Sequence, residues 1–207
     1  MQRSTSNIYK QTSKHKKITA RYKSIGLTEK IKGFSLIELL VTIAIAAIIL
    51  AIALPSLGGF MAQMRVDNRI TELQRLLLTT RNTAINTGEN AILCILPADH
   101  DEDIACQDSN DWTGRIGIIS SVDNSLIRER EAIKDSDKLT FEHERVTYGP
   151  DGQLINDNTG IFSYCTNGYA DYSRGVGISQ AGRSYLSSDI NNDGKNQDRN
   201  GNNITCD

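Results

Sequence analysis

The sequence predicts an α+β subunit: a long N-terminal α-helix, membrane-spanning in its first half, packed on an antiparallel β-sheet domain. Three observations predict it. Residues 34–57 are almost wholly apolar, Val66 to Ala84 carry apolar side chains at helical spacing, and short β-like runs separated by turn residues follow Gly88.

The segment ahead of the apolar run is strongly basic. Residues 1–33 hold nine Lys or Arg and one acid, Glu29, a local charge of +8 that leaves −10 for the rest of a chain whose total is −2. A basic head, an apolar stretch and an acidic body predict a head in the cytoplasm and a periplasmic domain, joined by one pass through the inner membrane. As a helix, residues 34–57 would reach about 36 Å, enough to cross a hydrocarbon core of about 30 Å. A secretory signal would be cut after its apolar run. Here the candidate junction, Lys32-Gly33-Phe34, precedes the run, so the helix would survive processing.

Glu38 is the one charge within the run. An intramembrane carboxylate is costly and usually has a partner. A cut after Gly33 would create an amine on Phe34 within two helical turns of Glu38. The pair could neutralise each other between staggered neighbouring helices; the alternative is a Glu snorkelling to the headgroups. Pro55 lacks an amide donor and predicts a kink, softened by Gly58 and Gly59. Beyond it, Val66, Ile70, Leu73, Leu77 and Ala84 form a packing stripe, and Gly88 is the expected stop.

Strands are expected at 91–96, 116–120, 126–129, 138–148, 161–165 and 176–179, with Pro150-Asp151-Gly152 as a turn. Residues 97–111 and 187–207 read as polar loops. The four cysteines, Cys94, Cys106, Cys165 and Cys206, all follow the apolar run, and their even number favours two disulfides in an oxidising compartment. Three pairings are open; we favour Cys94 with Cys106 and Cys165 with Cys206. The domain plan is a cytoplasmic leader, cleaved off, at 1–33, an apolar assembly helix at 34–57, an amphipathic continuation at 58–88, a β-rich domain at 89–186 and a tail tethered by Cys206 at 187–207.

The stretch KGFSLIELLVTIAIAAIILAIALPSL resembles the N-terminal motif of type IV pilins and type II secretion pseudopilins. The resemblance implies that a prepilin peptidase cuts between Gly33 and Phe34 and methylates the Phe34 amine. It also implies that Glu38 pairs with that amine on a neighbouring subunit, and that Pro55 matches the proline near which pilin helices loosen in the filament. The order TRNTAINTG, ILCIL, DWTGRIGIIS, LIRERE, LTFEHERVTYGPDGQL, IFSYC and RGVGISQAGRSYL is similar to the GspH/FimT family of minor pilins and pseudopilins. That similarity implies a pilin fold and a structural minor subunit near the filament tip that starts pilus assembly with other pilins. The alternatives are a minor pseudopilin of type II secretion and a DNA-binding minor pilin. In the last, the resemblance places DNA on a G-R-x-R stretch. Here that stretch is Gly182-Arg183-Ser184-Tyr185, without the second arginine, which leaves Arg174 and Arg183 as the candidate pair; the acidic body argues against it.

No catalytic constellation stands out. His15, His100 and His143 are scattered, the last in FEHER, and no phosphate loop or nucleophile elbow is present, so no enzyme and no cofactor are expected. One cation reading is open. Asp189, Asn191 and Asp193, with the Lys195 carbonyl and Asp198, resemble the first half of a calcium loop, whose twelfth position holds Asn200 in place of Glu. Any Ca²⁺ would be held weakly; the other reading is a plain Asn/Gly-rich loop. Trp112, beside Thr113-Gly114, reads as core.

Overall fold

The computed structural model describes residues 33–98 and 105–206; the leader at 1–32 and the whole DHDED run with His100 lie outside them. The helix α1 spans Leu36–Thr87, 52 residues, and is helical across Pro55. The chain divides between Ile45 and Ala46 into two units. In the first, every described residue is exposed, and Ser35 caps the helix by accepting the Glu38 amide on its hydroxyl at 3.2 Å. Leu36–Leu54 is long and apolar enough to cross a membrane, and none of it is buried.

In the second unit the helical stripe is buried as its spacing requires. Val66, Ile70, Leu73, Leu77 and Ala84 all lie inside, joined by Leu76 and Thr80. A fully buried Leu such as Leu77 contributes about 1.5–3 kcal/mol relative to exposure. Gly88 ends the helix with φ +72°, its amide donating to the Ala84 carbonyl at 3.0 Å, because a residue in the left-handed region closes the last turn.

Eight strands follow: β1 Ala91–Ile95, β2 Ile116–Ser120, β3 Leu126–Arg130, β4 Asp137–Thr140, β5 Arg145–Tyr148, β6 Gly160–Thr166, β7 Arg174–Ile178 and β8 Ser184–Leu186. They form two antiparallel four-stranded sheets, ordered β3-β2-β1-β5 and β4-β6-β7-β8. A single sheet with one strand over 138–148 was the expectation, and the structure divides that run. Leu139 and Phe141 are buried at odd positions, Val146 and Tyr148 at even ones. A strand has a period of two, so this phase change cannot lie on one straight strand. The bend at 142–144 carries the chain from one sheet to the other.

Both sheets close on one core with α1, in which Leu93 and Ile118 meet Phe162, Tyr164, Val176 and Ile178. Trp112 is buried between them. Its ring stands edge-on to Phe162 at 4.8 Å, and its indole N–H donates to the His143 carbonyl at 2.9 Å. The other face of β1 carries a small satellite cluster of Cys94, Leu96 and Ile119. Disulfides join Cys94 to Cys106 and Cys165 to Cys206.

Two buried polar groups differ in how they are satisfied. Asp137 accepts the Tyr164 hydroxyl at 2.6 Å and faces Arg65 at 3.3 Å. Burial, and next the Asp137 carboxylate beside it, push the Tyr164 phenol well above its ordinary range. Arg130, by contrast, is buried with its three guanidinium nitrogens lacking a hydrogen-bond partner among the described residues. Burial holds its pKa below the ordinary value, against the nearby Glu72.

Candidate assembly and processing site

The junction residues are open to solvent. Gly33 is exposed, and a side chain added to it would meet nothing within 4 Å; its φ lies outside the left-handed region. Neither packing nor backbone conformation therefore requires glycine here, so its reason lies outside the chain's own fold. Phe34 is 76 % exposed, and Glu38, four residues further, is exposed as well. Sequence reasoning missed that Ser35-Leu36-Ile37-Glu38 is also a capping-box pattern, Ser at the cap and Glu at the third helical position.

The apolar face begins directly after this junction. Ile37, Leu40, Val41, Ile48, Ile49, Ile52 and Leu54 are all at least half exposed or close to it. Within the chain nothing covers them, and an exposed apolar surface of this length marks a membrane or assembly contact.

The two arginines left as a candidate DNA pair stand apart. Arg174 opens β7 and pairs with Asp67 on α1 at 3.3 Å, while Arg183 stands exposed in the turn beyond the other end of β7. Four strand steps separate Arg174 from Ile178, about 13 Å. Gly182 has a packing reason of its own: at φ +72°, an added Cβ would lie 2.0 Å from the Gly152 carbonyl oxygen. That same carbonyl accepts Arg81 Nε of α1 at 2.9 Å, so the glycine of the G-R pair closes the domain onto its helix.

The tail carboxylates are occupied by the chain's own donors. Asp189 accepts the amides of Asp193 and Gly194 at 3.1 and 2.9 Å, and Asp193 accepts that of Lys195 at 2.8 Å. Asn191 donates to Asp193 at 3.0 Å, and the Lys195 ammonium pairs with Asp171 at 3.3 Å. Asp198 accepts Asn200 and Asn202 amides in a separate turn, at 2.8 Å each. No three acidic, cysteine or histidine side chains gather as a metal site among the described residues. His143 sits edge-on to Phe141, with Nε2 3.1 Å from the Thr159 carbonyl oxygen.

Residues 30–54 match the prokaryotic N-terminal methylation motif, and residues 69–182, more than half of the chain, match the family described as type II transport protein GspH. The chain belongs to the GspH family. Two sequences named fimbrial protein from Pseudomonas aeruginosa are each 35 % identical over 89 residues, 42 % of this chain and 57 % of theirs. The match thus spans little more than half the length of those relatives. The crystal structure of the P. aeruginosa type IV minor pilin FimU resembles this chain with a TM-score of 0.50 at 21 % identity, covering 62 % of this chain and 92 % of FimU. The minor pseudopilin EpsH of Vibrio cholerae is more distant, with a TM-score of 0.41 at 16 % identity over 58 % of this chain and 94 % of EpsH. The fold is therefore pilin-like, a long N-terminal helix packed on antiparallel sheets. Its methylation motif and the one long apolar helix among the described residues fit a membrane-anchored pilin.

Proposed function

We propose that this chain is a minor type IV pilin that takes part in initiating pilus assembly near the filament tip. The observation that carries the proposal is the junction itself: an exposed glycine with no structural reason of its own, followed by an uncovered apolar helix holding the single acid Glu38. A prepilin peptidase would cut between Gly33 and Phe34 and methylate Phe34. Until assembly, the apolar helix would lie in the inner membrane with the disulfide-bonded domain on the periplasmic side.

In the filament, Glu38 would pair with the Phe34 amine of a neighbouring pilin, replacing lipid with protein around Leu36–Leu54. The fimbrial-protein relatives favour the pilus. The family description favours the second reading, a minor pseudopilin of a type II secretion system. Deleting the gene separates them: loss of surface pili and twitching is expected, whereas intact pili with lost protein secretion would establish the pseudopilin. A DNA-uptake role has little support in the geometry, with Arg174 paired to Asp67 and Arg183 in the turn beyond the far end of β7. A transformation defect with pili intact would revive it.

A further inference from the structure

Tyr169 precedes and Tyr172 ends a short 3₁₀ turn, Ala170–Tyr172, between β6 and β7, and their rings stack at 6.0 Å with 21° between planes. Both hydroxyls reach α1 just beyond its apolar run. A Cβ added to Gly58 would lie 2.7 Å from the Tyr169 hydroxyl oxygen, and one added to Gly59 would lie 3.1 Å from that of Tyr172. Two adjacent glycines thus let two phenol tips approach the helix. Tyr169 is nevertheless 37 % exposed, and Leu57, Phe60 and Met61 of the same helical level are more than half exposed.

We propose that this tyrosine pair is a membrane-interface anchor that seats the domain on the headgroup layer of the bilayer crossed by the apolar helix. Gly58 and Gly59 follow Leu54, the end of the apolar run, by four and five residues, about 6–8 Å along a helix axis. The polar zone on each side of a hydrocarbon core about 30 Å thick occupies about 5–7 Å of a bilayer about 40–45 Å thick. Tyrosine is enriched at that depth because its ring is apolar and its tip polar. Leu54, Leu57, Phe60 and Met61 of α1 are exposed as well, so the helix presents apolar surface at the level of the pair. The Asp171–Lys195 ion pair beside it, at 3.3 Å, keeps the flanking polar groups in the wet layer. The anchor fixes which face of the domain looks toward the membrane before the subunit is drawn into a filament.

The inference rests on the membrane-anchored reading, and the test separates the two. The full chain is reconstituted in lipid nanodiscs carrying bromines either just below the glycerol or near the acyl-chain ends. Co-elution with the discs reports the membrane span. Tyr169→Trp and Tyr172→Trp are each compared with the native chain, whose single Trp112 lies in the core and supplies the background. The added emission is expected to be quenched strongly by the shallow bromines and weakly by the deep ones, in both variants. A co-eluting chain whose added tryptophans are unquenched at either depth would overturn the anchor while leaving the span intact. Shielding of the pair only in sheared filaments would assign it to a neighbouring subunit and would equally overturn it. Two independent variants guard against one that misfolds.

Discussion

The Ser35 hydroxyl accepts the Glu38 amide at 3.2 Å, so the second residue of the predicted mature chain caps the helix that bears the one acid of the apolar run. Glu38 consequently holds two positions at once, third helical residue after the Ser35 cap and sole charge of the apolar run. Gln serves the first role as well as Glu but carries no charge. Glu38→Gln is therefore expected to leave helix, insertion and cleavage intact while reducing incorporation into filaments. Breaking one partner of a buried pair costs about 3–5 kcal/mol, less at an interface. Blotting of sheared filaments against membrane fractions measures it; normal incorporation would favour the snorkelling alternative.

The open surroundings of Gly33 yield a second expectation. Gly33→Val leaves the fold untouched but should block processing, because a branched side chain now occupies the backbone approach a peptidase needs. Mass spectrometry of the native chain should find an N-terminus at methylated Phe34, and of the variant an uncut leader. Efficient cleavage of the variant, or a native N-terminus elsewhere, would sink the processing scheme.

Removal of the Cys165–Cys206 bond, which has a sequence separation of 41, should cost more than removal of Cys94–Cys106, with a separation of 12. The chain-entropy estimate is about 3 kcal/mol for a loop of roughly a dozen residues and somewhat more for the longer one. Paired Cys→Ser variants of the full chain, compared by thermal unfolding in nanodiscs, should rank in that order; the opposite ranking would show that the tail bond constrains little.

Arg130 is expected to be a stability liability. Its buried guanidinium lacks hydrogen-bond partners among the described residues, and replacing a poorly satisfied buried charge with an apolar side chain of similar volume is often neutral or stabilising by about 1–4 kcal/mol. Arg130→Met should raise Tm by about 2–4 °C per kcal/mol gained. A fall in Tm would mean that attraction to Glu72 outweighs the burial cost.

The tail loop gives a pH and cation test. The Lys195 amide, then Asn191, hold the Asp193 carboxyl below the usual carboxylate range. With the folded value depressed, its contribution to stability is present above the unfolded pKa of about 3.9 and is lost as pH falls through the folded value. Asp193→Asn should flatten this acid limb of a stability–pH curve. Because Asp189 and Asp193 are already engaged by backbone amides, millimolar calcium is expected to leave Tm unchanged. A calcium-dependent rise absent from Asp189→Ala/Asp193→Ala would instead put the ion in the loop.

What could be read from the chain in advance was what neighbouring residues encode. The apolar run, the stripe from Val66 to Ala84 and the stop at Gly88 are periodic or local, and the structure follows them. The division at 142–144 was also visible, as the shift from odd Leu139 and Phe141 to even Val146 and Tyr148, but the alternating charges of FEHER masked it. Strand β8 was missed because three residues carry no period. The Arg65–Asp137 pair, 72 positions apart, and the approach of Tyr169 to Gly58 depend on how distant segments meet. No local pattern contains that information. The separation of Arg174 from Arg183 is of the same kind, because β7 runs between them.

The Cys94–Cys106 bond also ties the end of β1 covalently to the chain that leads on to β2. Gln107 donates its amide to the Ile95 carbonyl at 2.9 Å, so the returning chain is held beside the end of β1 next to the bond. Each doubling of a closed loop costs only about 0.6 kcal/mol. A foreign peptide spliced into 99–104 would therefore hang from a covalent collar without disturbing the register of β1, making the subunit a carrier for surface display.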